Sequence, residues 1–346
     1  MPELTITPPN TPPFALPAPL VRRFAALLAP MPTEPASALA ESRRRALTVA
    51  RGSKENFSVL SALVPVRARP HFAALYAYCR VADDLGDDRD EGAPNDTARA
   101  LALLAAWRSA FRASVGLSAD SRPDAAGAAV APLGASLFPA LAETMRERQL
   151  DSAPFEHLLD AFEQDQRVTR YATWDQLLDY CTRSANPVGR LVLGVLLDRP
   201  PAPEMLAASD ELCTALQLIN FWQDVRRDLV ERDRIYLPSE EFALTEAELR
   251  RGIAEPENSL LRVAYIRALR PLVERTRELF ERSSALMSML PPHARPVVGL
   301  FHAGGVATLE EVERAGCTTL WRRPSVPTVQ RLFLVARAFV ASRLVR

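Results

Sequence analysis

The sequence predicts an all-α protein, on three observations. Ala, Leu, Arg and Glu dominate the composition, and only 13 glycines stand against 29 prolines. No alternating apolar–polar run bounded by Asn-Gly or Asp-Gly occurs. Apolar residues instead recur at helical spacing, and prolines fall where such segments start and stop. With 346 residues, 48% of them apolar, the chain can bury a sizeable core, as one large or two smaller domains. Its formal net charge of zero and pI near 6.9 supply no field for nucleic acid, so none is expected as a partner.

Residues 1–35 are proline-rich and read as a loosely ordered segment with neither a basic n-region nor a continuous apolar h-region. Helical patterning begins at ALAESRRRALTVARG. In PHFAALYAYC, Pro70 suits a first helical turn, and Phe72, Leu75, Tyr76 and Cys79 follow at helical spacing. The small, polar stretch SVGLSADSRPDAAGAAVAPLG (114–134) reads as a surface linker. LLDRPPAPEML (196–206) reads as a helix stop followed by a new start. A helix-interior glycine costs about 1 kcal/mol relative to alanine, so Gly189 and Gly194 in NPVGRLVLGVLL predict close packing there. The end, TVQRLFLVARAFVASRLVR, reads as a final helix (328–346) with four arginines, no acid and an apolar face. No run of 18 apolar residues occurs, which argues against an ordinary membrane span.

The four cysteines, 102, 32 and 104 residues apart and without a CxxC, support neither zinc nor a disulfide scaffold. A reducing cytoplasmic setting fits them best. The four histidines (His71, His157, His293, His302) match no ligand spacing and read as structural. GLFHAGG (299–305) is no dinucleotide fingerprint, because no strand precedes it.

The chemistry lies in two acidic stretches. After the apolar run FAALYAYC, ADDLGDDRDE packs six acids into nine positions (83–91). Acids at a helix C-terminus oppose the macrodipole by roughly 0.3–1 kcal/mol each, so a merely solvated face would put them at the other end. Asp83 and Asp87 stand at i,i+4, about 5–6 Å apart on one face, close enough for hard cations. In CTALQLINFWQDVRRDLVERDRIYLP (213–238), Gln217, Asn220, Asp224 and Asp228 form one polar stripe opposite Leu218, Phe221, Trp222 and Val225. Two acidic helix faces in one chain suggest a shared metal–diphosphate site.

That pairing resembles the squalene/phytoene synthase family of head-to-head isoprenoid synthases, over roughly residues 50–325. ALYAYCRVADDLGD resembles its first aspartate-rich motif, LQLINFWQDVRRD with RIYLP its second, RYATWDQLLDYCTRSANPVGRLVL its mid-chain helix and SKENFSVLSALVP its N-terminal contact motif. The resemblance implies a single-domain helical bundle (36–327) around a central cavity that takes a prenyl diphosphate with Mg2+. It implies Asp83, Asp87, Asn220, Asp224 and Asp228 as metal ligands. Lys54 (the only lysine), Asn56, Arg80, Gln217 and Asn220 become substrate contacts, and Tyr76, Tyr171 and Tyr236 stand near the reacting carbons. Asp84 and Asp88 are expected to face outward or to support the ligands.

Some departures point within the family. Condensing members usually show a glycine-methionine pair before the mid-chain aspartate; here AFEQD carries Phe162 and Glu163, with Asp165 retained. They usually carry arginine before the second motif's aspartate; here it is Gln223, for which Arg226 or Arg227 could compensate. KENF, SANPVGR and NFWQD together resemble the bacterial hopanoid branch that turns presqualene diphosphate into hydroxysqualene. The alternatives are a condensing synthase using farnesyl or geranylgeranyl diphosphate, and an inactive partner subunit of a membrane-surface complex. The resemblance also implies a sister synthase and a desaturase or reductase as pathway partners. The basic amphipathic end leaves room for peripheral contact with the inner membrane surface.

Overall fold

The computed structural model describes residues 15–52, 63–87, 97–117 and 125–343. Among them there is no β-strand, and one isolated parallel bridge joins Arg170 and Ile235. The all-α expectation holds. Two compact units divide the chain: the first takes residues up to 52, 73–147 and 162–167, and the second takes 53–72, 148–161 and 168–346.

The first unit opens with two short helices, α1 (Ala18–Arg23) and α2 (Ala25–Leu28), followed by α3 (Pro35–Gly52). Residues 15–35 are therefore more ordered than a proline-rich composition predicts. Leu20, Phe24 and Leu27 are buried, and the buried Arg45 of α3 holds the end of α2. Its Nη1 donates to the carbonyl of Ala29 (2.9 Å) and to Ser136 Oγ (2.7 Å), and its Nη2 to the carbonyl of Pro30 (3.0 Å). These bonds reach from a distant helix, so local composition cannot reveal them. α4 (Arg69–Asp87), α5 (Thr97–Ser114) and α6 (Ala125–Arg148) supply the aromatic core of this unit. Trp107 sits 4.4 Å from Phe138 and 5.9 Å from Tyr78 between ring centroids.

α6 corrects the expected linker, because helix begins at Ala125 and runs through Pro132 and Pro139. Each proline removes one helical hydrogen bond. Burial of Val130, Leu133, Leu137, Phe138 and Leu141 offsets that loss. By length and composition α6 could cross a membrane, yet half of its apolar window is buried inside the protein.

In the second unit lie most of α7 (Ala153–Gln164), then α8 (Trp174–Ser184), α9 (Asn186–Leu196) and α10 (Pro203–Glu231). They are followed by α11 (Glu246–Ala254), α12 (Ser259–Ser283), α13 (Leu286–Met289), α14 (Arg295–Arg314) and α15 (Thr328–Arg343). α10 is the hub, packed against α8, α9, α12, α13 and α14. The proline corner at 196–206 falls between α9 and α10 as expected. Gly189 admits α10 closely: a Cβ there would lie 2.5 Å from Cys213 Sγ and from Ser209 Oγ. Gly194 similarly meets Leu150, so both helix-interior glycines mark close packing. His293 and His302 bond to the backbone carbonyls of Leu196 and Phe280, which are structural roles. All four cysteines are free thiols.

Candidate active site

The sequence-predicted site divides over two helices in different units. On α4, almost every position from Ala73 to Gly86 is buried except Tyr76, Cys79, Arg80 and Asp83. Tyr76, Arg80, Asp83 and Asp87 repeat at i, i+4, i+7 and i+11, which is one stripe of a helix. The only face of this helix that stays partly open is thus the face carrying the first acidic motif.

Asp84 stands off that stripe and is buried, so of the two roles expected for it, facing outward or supporting the ligands, facing outward is excluded. Its carboxylate takes a two-point hydrogen bond from Arg80, Nε at 3.0 Å and Nη2 at 2.7 Å, and a contact from Arg23 Nη1. Burial raises its pKa although Arg80 and Arg23 oppose the rise. Asp84 therefore orients Arg80, whose remaining Nη1 lies 3.8 Å from Asp83. The departures at 162 and 163 also have local reasons. Phe162 lies against Gly86, where a Cβ would meet its own Cβ at 3.9 Å. Glu163 accepts from Arg108 Nη2 at 3.0 Å.

On α10 the polar stripe is graded. Asn220 is exposed, Gln217 and Asp224 are half-buried, and Asp228 is 7% exposed. Desolvation pushes the Asp228 carboxyl up from 3.8 to about 6, helped by Asp224 and opposed by Arg232, Arg227 and Arg234. The opposite face is core: Leu218, Phe221, Trp222 and Val225 are all buried. Trp222 Nε1 donates to Thr276 Oγ1 at 2.8 Å, which fixes the rotation of α10 against α12.

The cation that Arg226 or Arg227 could have supplied comes mainly from elsewhere. Arg226 is exposed, and Arg227 reaches Asp224 only at 3.4 Å. Arg323, 99 residues away, holds Asp224 through Nε and through Nη2, the latter at 3.3 Å. Gln223 braces that arginine: its Oε1 accepts from Arg323 Nη2 at 3.1 Å, and its Nε2 donates to the carbonyl of Pro324 at 2.7 Å. The glutamine thus ties a strap, residues 318–327, along α10, and the strap brings the guanidinium. Local reasoning missed Arg323; the only signal is the Arg322-Arg323-Pro324 triplet, which has no periodic partner.

Tyr171 and Tyr236 are buried together with Tyr180 and Phe221. Tyr236 stacks on Phe221 with centroids 3.8 Å apart and on Tyr171 at 5.6 Å. Backbone bonds from Ile235 to Thr169 (2.8 Å) and from Ser239 to Tyr171 (3.0 Å) hold the RIYLP segment alongside residues 169–172. Both tyrosines have their faces covered by other rings, whereas Tyr76 is half-buried on its stripe. Lys54, Asn56 and Asp88 lie outside the described residues.

Comparisons with known proteins bear on this arrangement. Residues 50–330 match the squalene/phytoene synthase family. The chain is 32% identical over 242 residues to the hydroxysqualene synthase of Zymomonas mobilis, covering 68% of this chain and 71% of that protein. It is 31% identical over 309 residues to the 15-cis-phytoene synthase of Enterobacter agglomerans, covering 85% and 95%. The crystal structure of squalene synthase HpnC from Alicyclobacillus acidocaldarius superposes with a TM-score of 0.62 at 34% identity, covering 80% of this chain and 95% of that one. A dehydrosqualene synthase in complex with ligand superposes at 0.65 with 19% identity, covering 90% and 100%, a likeness of fold alone.

Proposed function

The chain belongs to the squalene/phytoene synthase family of isoprenoid synthases, and from that premise we propose that it is a hydroxysqualene synthase. It would ionise presqualene diphosphate, release diphosphate, and quench the rearranged cation with water, a step in squalene and hopanoid synthesis. The observation that carries this reading is residue 223. The arginine usual there in condensing members is replaced by a buried glutamine that braces Arg323 on Asp224. The hydroxysqualene synthases among its relatives support the same branch.

A prenyl diphosphate needs its leaving group neutralised, and the donor set fits Mg2+. It is all hard oxygen, without cysteine or histidine. Among the described residues no three His, Cys, Asp or Glu side chains lie close enough together to hold a metal ion by themselves. An ion here would take one or two carboxylates and complete its shell with phosphate and water. Asp83 and Asp87 on α4 could hold such an ion, as could Asn220, Asp224 and Asp228 on α10, and a bound ion would offset charge on the departing diphosphate by several kcal/mol.

The protein's own groups do the rest. Arg80, oriented by Asp84, presents donors suited to phosphate oxygens, and Gln217 would contribute an amide. Tyr76 is the ring open enough to face a passing cation, worth about 0.5–2 kcal/mol. Tyr171 and Tyr236 would serve as an aromatic wall behind α10. The second reading, a condensing synthase, draws on the phytoene synthases among the relatives, one covering 85% of the chain.

Product analysis with Mg2+ and no reductant separates the two. Hydroxysqualene from presqualene diphosphate, with no product from farnesyl diphosphate alone, is expected. Presqualene diphosphate or a condensed hydrocarbon from farnesyl or geranylgeranyl diphosphate would overturn the proposal.

A further inference from the structure

We propose that the outer face of α15 is a docking surface for an anionic lipid bilayer. α15 packs on α14, and its inward side is made by Leu334, Ala338 and Ser342. The side turned away from the protein is mostly apolar, with Arg343 at its C-terminal end the one charge on it, whereas a soluble helix would be polar there. Val329 is 79% exposed, Phe333 64%, Leu332 63% and Val340 60%. At about 100° per residue these four and Ala336 fall within one arc of roughly 100°, opposite Ala338. A contiguous exposed stripe of this kind marks an interaction surface, unlike single apolar residues scattered over a surface.

Charge selects the partner. From Arg314 to Arg343 the sequence contains no Asp or Glu. Arg331, Arg337 and Arg343 on α15 and Arg322 just before it are exposed. In a chain whose formal net charge is zero, that is a local excess of positive charge. Two copies meeting through this face would bring arginines against arginines with no acid between them. A bilayer carrying phosphate headgroups offers the complement: apolar side chains enter the acyl boundary while the long arginine stems let guanidiniums stay at headgroup level. This inference stands on α15 alone and is independent of which prenyl diphosphate the enzyme uses.

The test is flotation of the full chain with vesicles of phosphatidylcholine alone or with about one-third phosphatidylglycerol. The wild type should float with the anionic vesicles and much less with the neutral ones, and raising the salt to 0.5 M should release much of it (~4 Å screening length). Each single change Arg337→Gln or Arg343→Gln, beside or within the apolar arc, should lower partitioning about fivefold, whereas Arg331→Gln, on the side of Ala338, should lower it less. Leu332→Glu with Phe333→Glu should lower it more than tenfold (order of magnitude). All five side chains are exposed, so the variants should keep the wild-type unfolding midpoint, which is measured alongside. Equal flotation with neutral and anionic vesicles, no flotation at all, or a dimer in solution that the Leu332/Phe333 change dissolves would each overturn the proposal.

Discussion

Replacing Asp228 by asparagine should stabilise the protein at pH 8 and hardly change it at pH 4. The carboxyl is held at about 6 against an ordinary 3.8, chiefly because burial disfavours its charge. Between those values the folded chain binds a proton that the unfolded chain has lost. Stability therefore falls as pH rises through that window, and the full penalty stands above pH 6. About two pKa units at ~1.4 kcal/mol each give on the order of 3 kcal/mol. The figure is already net of the attraction from Arg232, Arg227 and Arg234. Asparagine keeps the shape and removes the charge. Urea unfolding of both proteins should show a gain of about 3 kcal/mol at pH 8, shrinking below ~1 kcal/mol at pH 4. A gain that is equal at both pH values, or absent at pH 8, would show that the carboxylate is not desolvated.

Three other perturbations address separate parts of the structure. Gln223→Arg should lower stability by about 2–4 kcal/mol, because it places a buried cation beside Arg323 and loses the bond to Pro324. Adding Arg323→Gln should recover at least ~1 kcal/mol, and strictly additive losses in chemical denaturation would refute the strap. Arg45→Met should cost about 1–3 kcal/mol by removing the donor to the carbonyls of Ala29 and Pro30, while the hydroxyl of Ser136 keeps its bond to the carbonyl of Leu27. An unchanged midpoint would mean those groups find water instead. Gly189→Ala should lower stability by about 1–3 kcal/mol through collision with Cys213 and Ser209, a shift that thermal unfolding would detect.

What the sequence disclosed was what has a period. The stripes on α4 and α10 follow from 3.6-residue spacing, and the partial exposure of Tyr76, Asp83 and Asp224 lies along them. Proline stops were legible at 196–206, where no buried face competes. Small, polar composition misled at 125–134, where the apolar burial of α6 outweighs even the hydrogen bond that Pro132 removes. Interactions made across long stretches of chain left no local trace. Arg45 reaching residues 29 and 30, and Arg323 reaching Asp224, join segments whose own composition is indifferent to the pairing. The helix carrying Asp224 could be read from sequence, but its counter-charge could not.

The strap also has a consequence in time. Gln223 meets its partners, and Asp224 its closest one, through residues 323 and 324, about one hundred positions later. At the ~5–20 residues per second of protein synthesis, that interval lasts on the order of 5–20 s. Through it α10 can already pack on α8 and α9, which precede it in the chain. Its buried amide and its acidic stripe must meanwhile wait in water or in other hands. The nascent protein thus acquires a scaffold first and a finished acidic face later. Any factor that delays synthesis between those points prolongs the period in which metal ions and stray cations can reach Asp224 before its own arginine does.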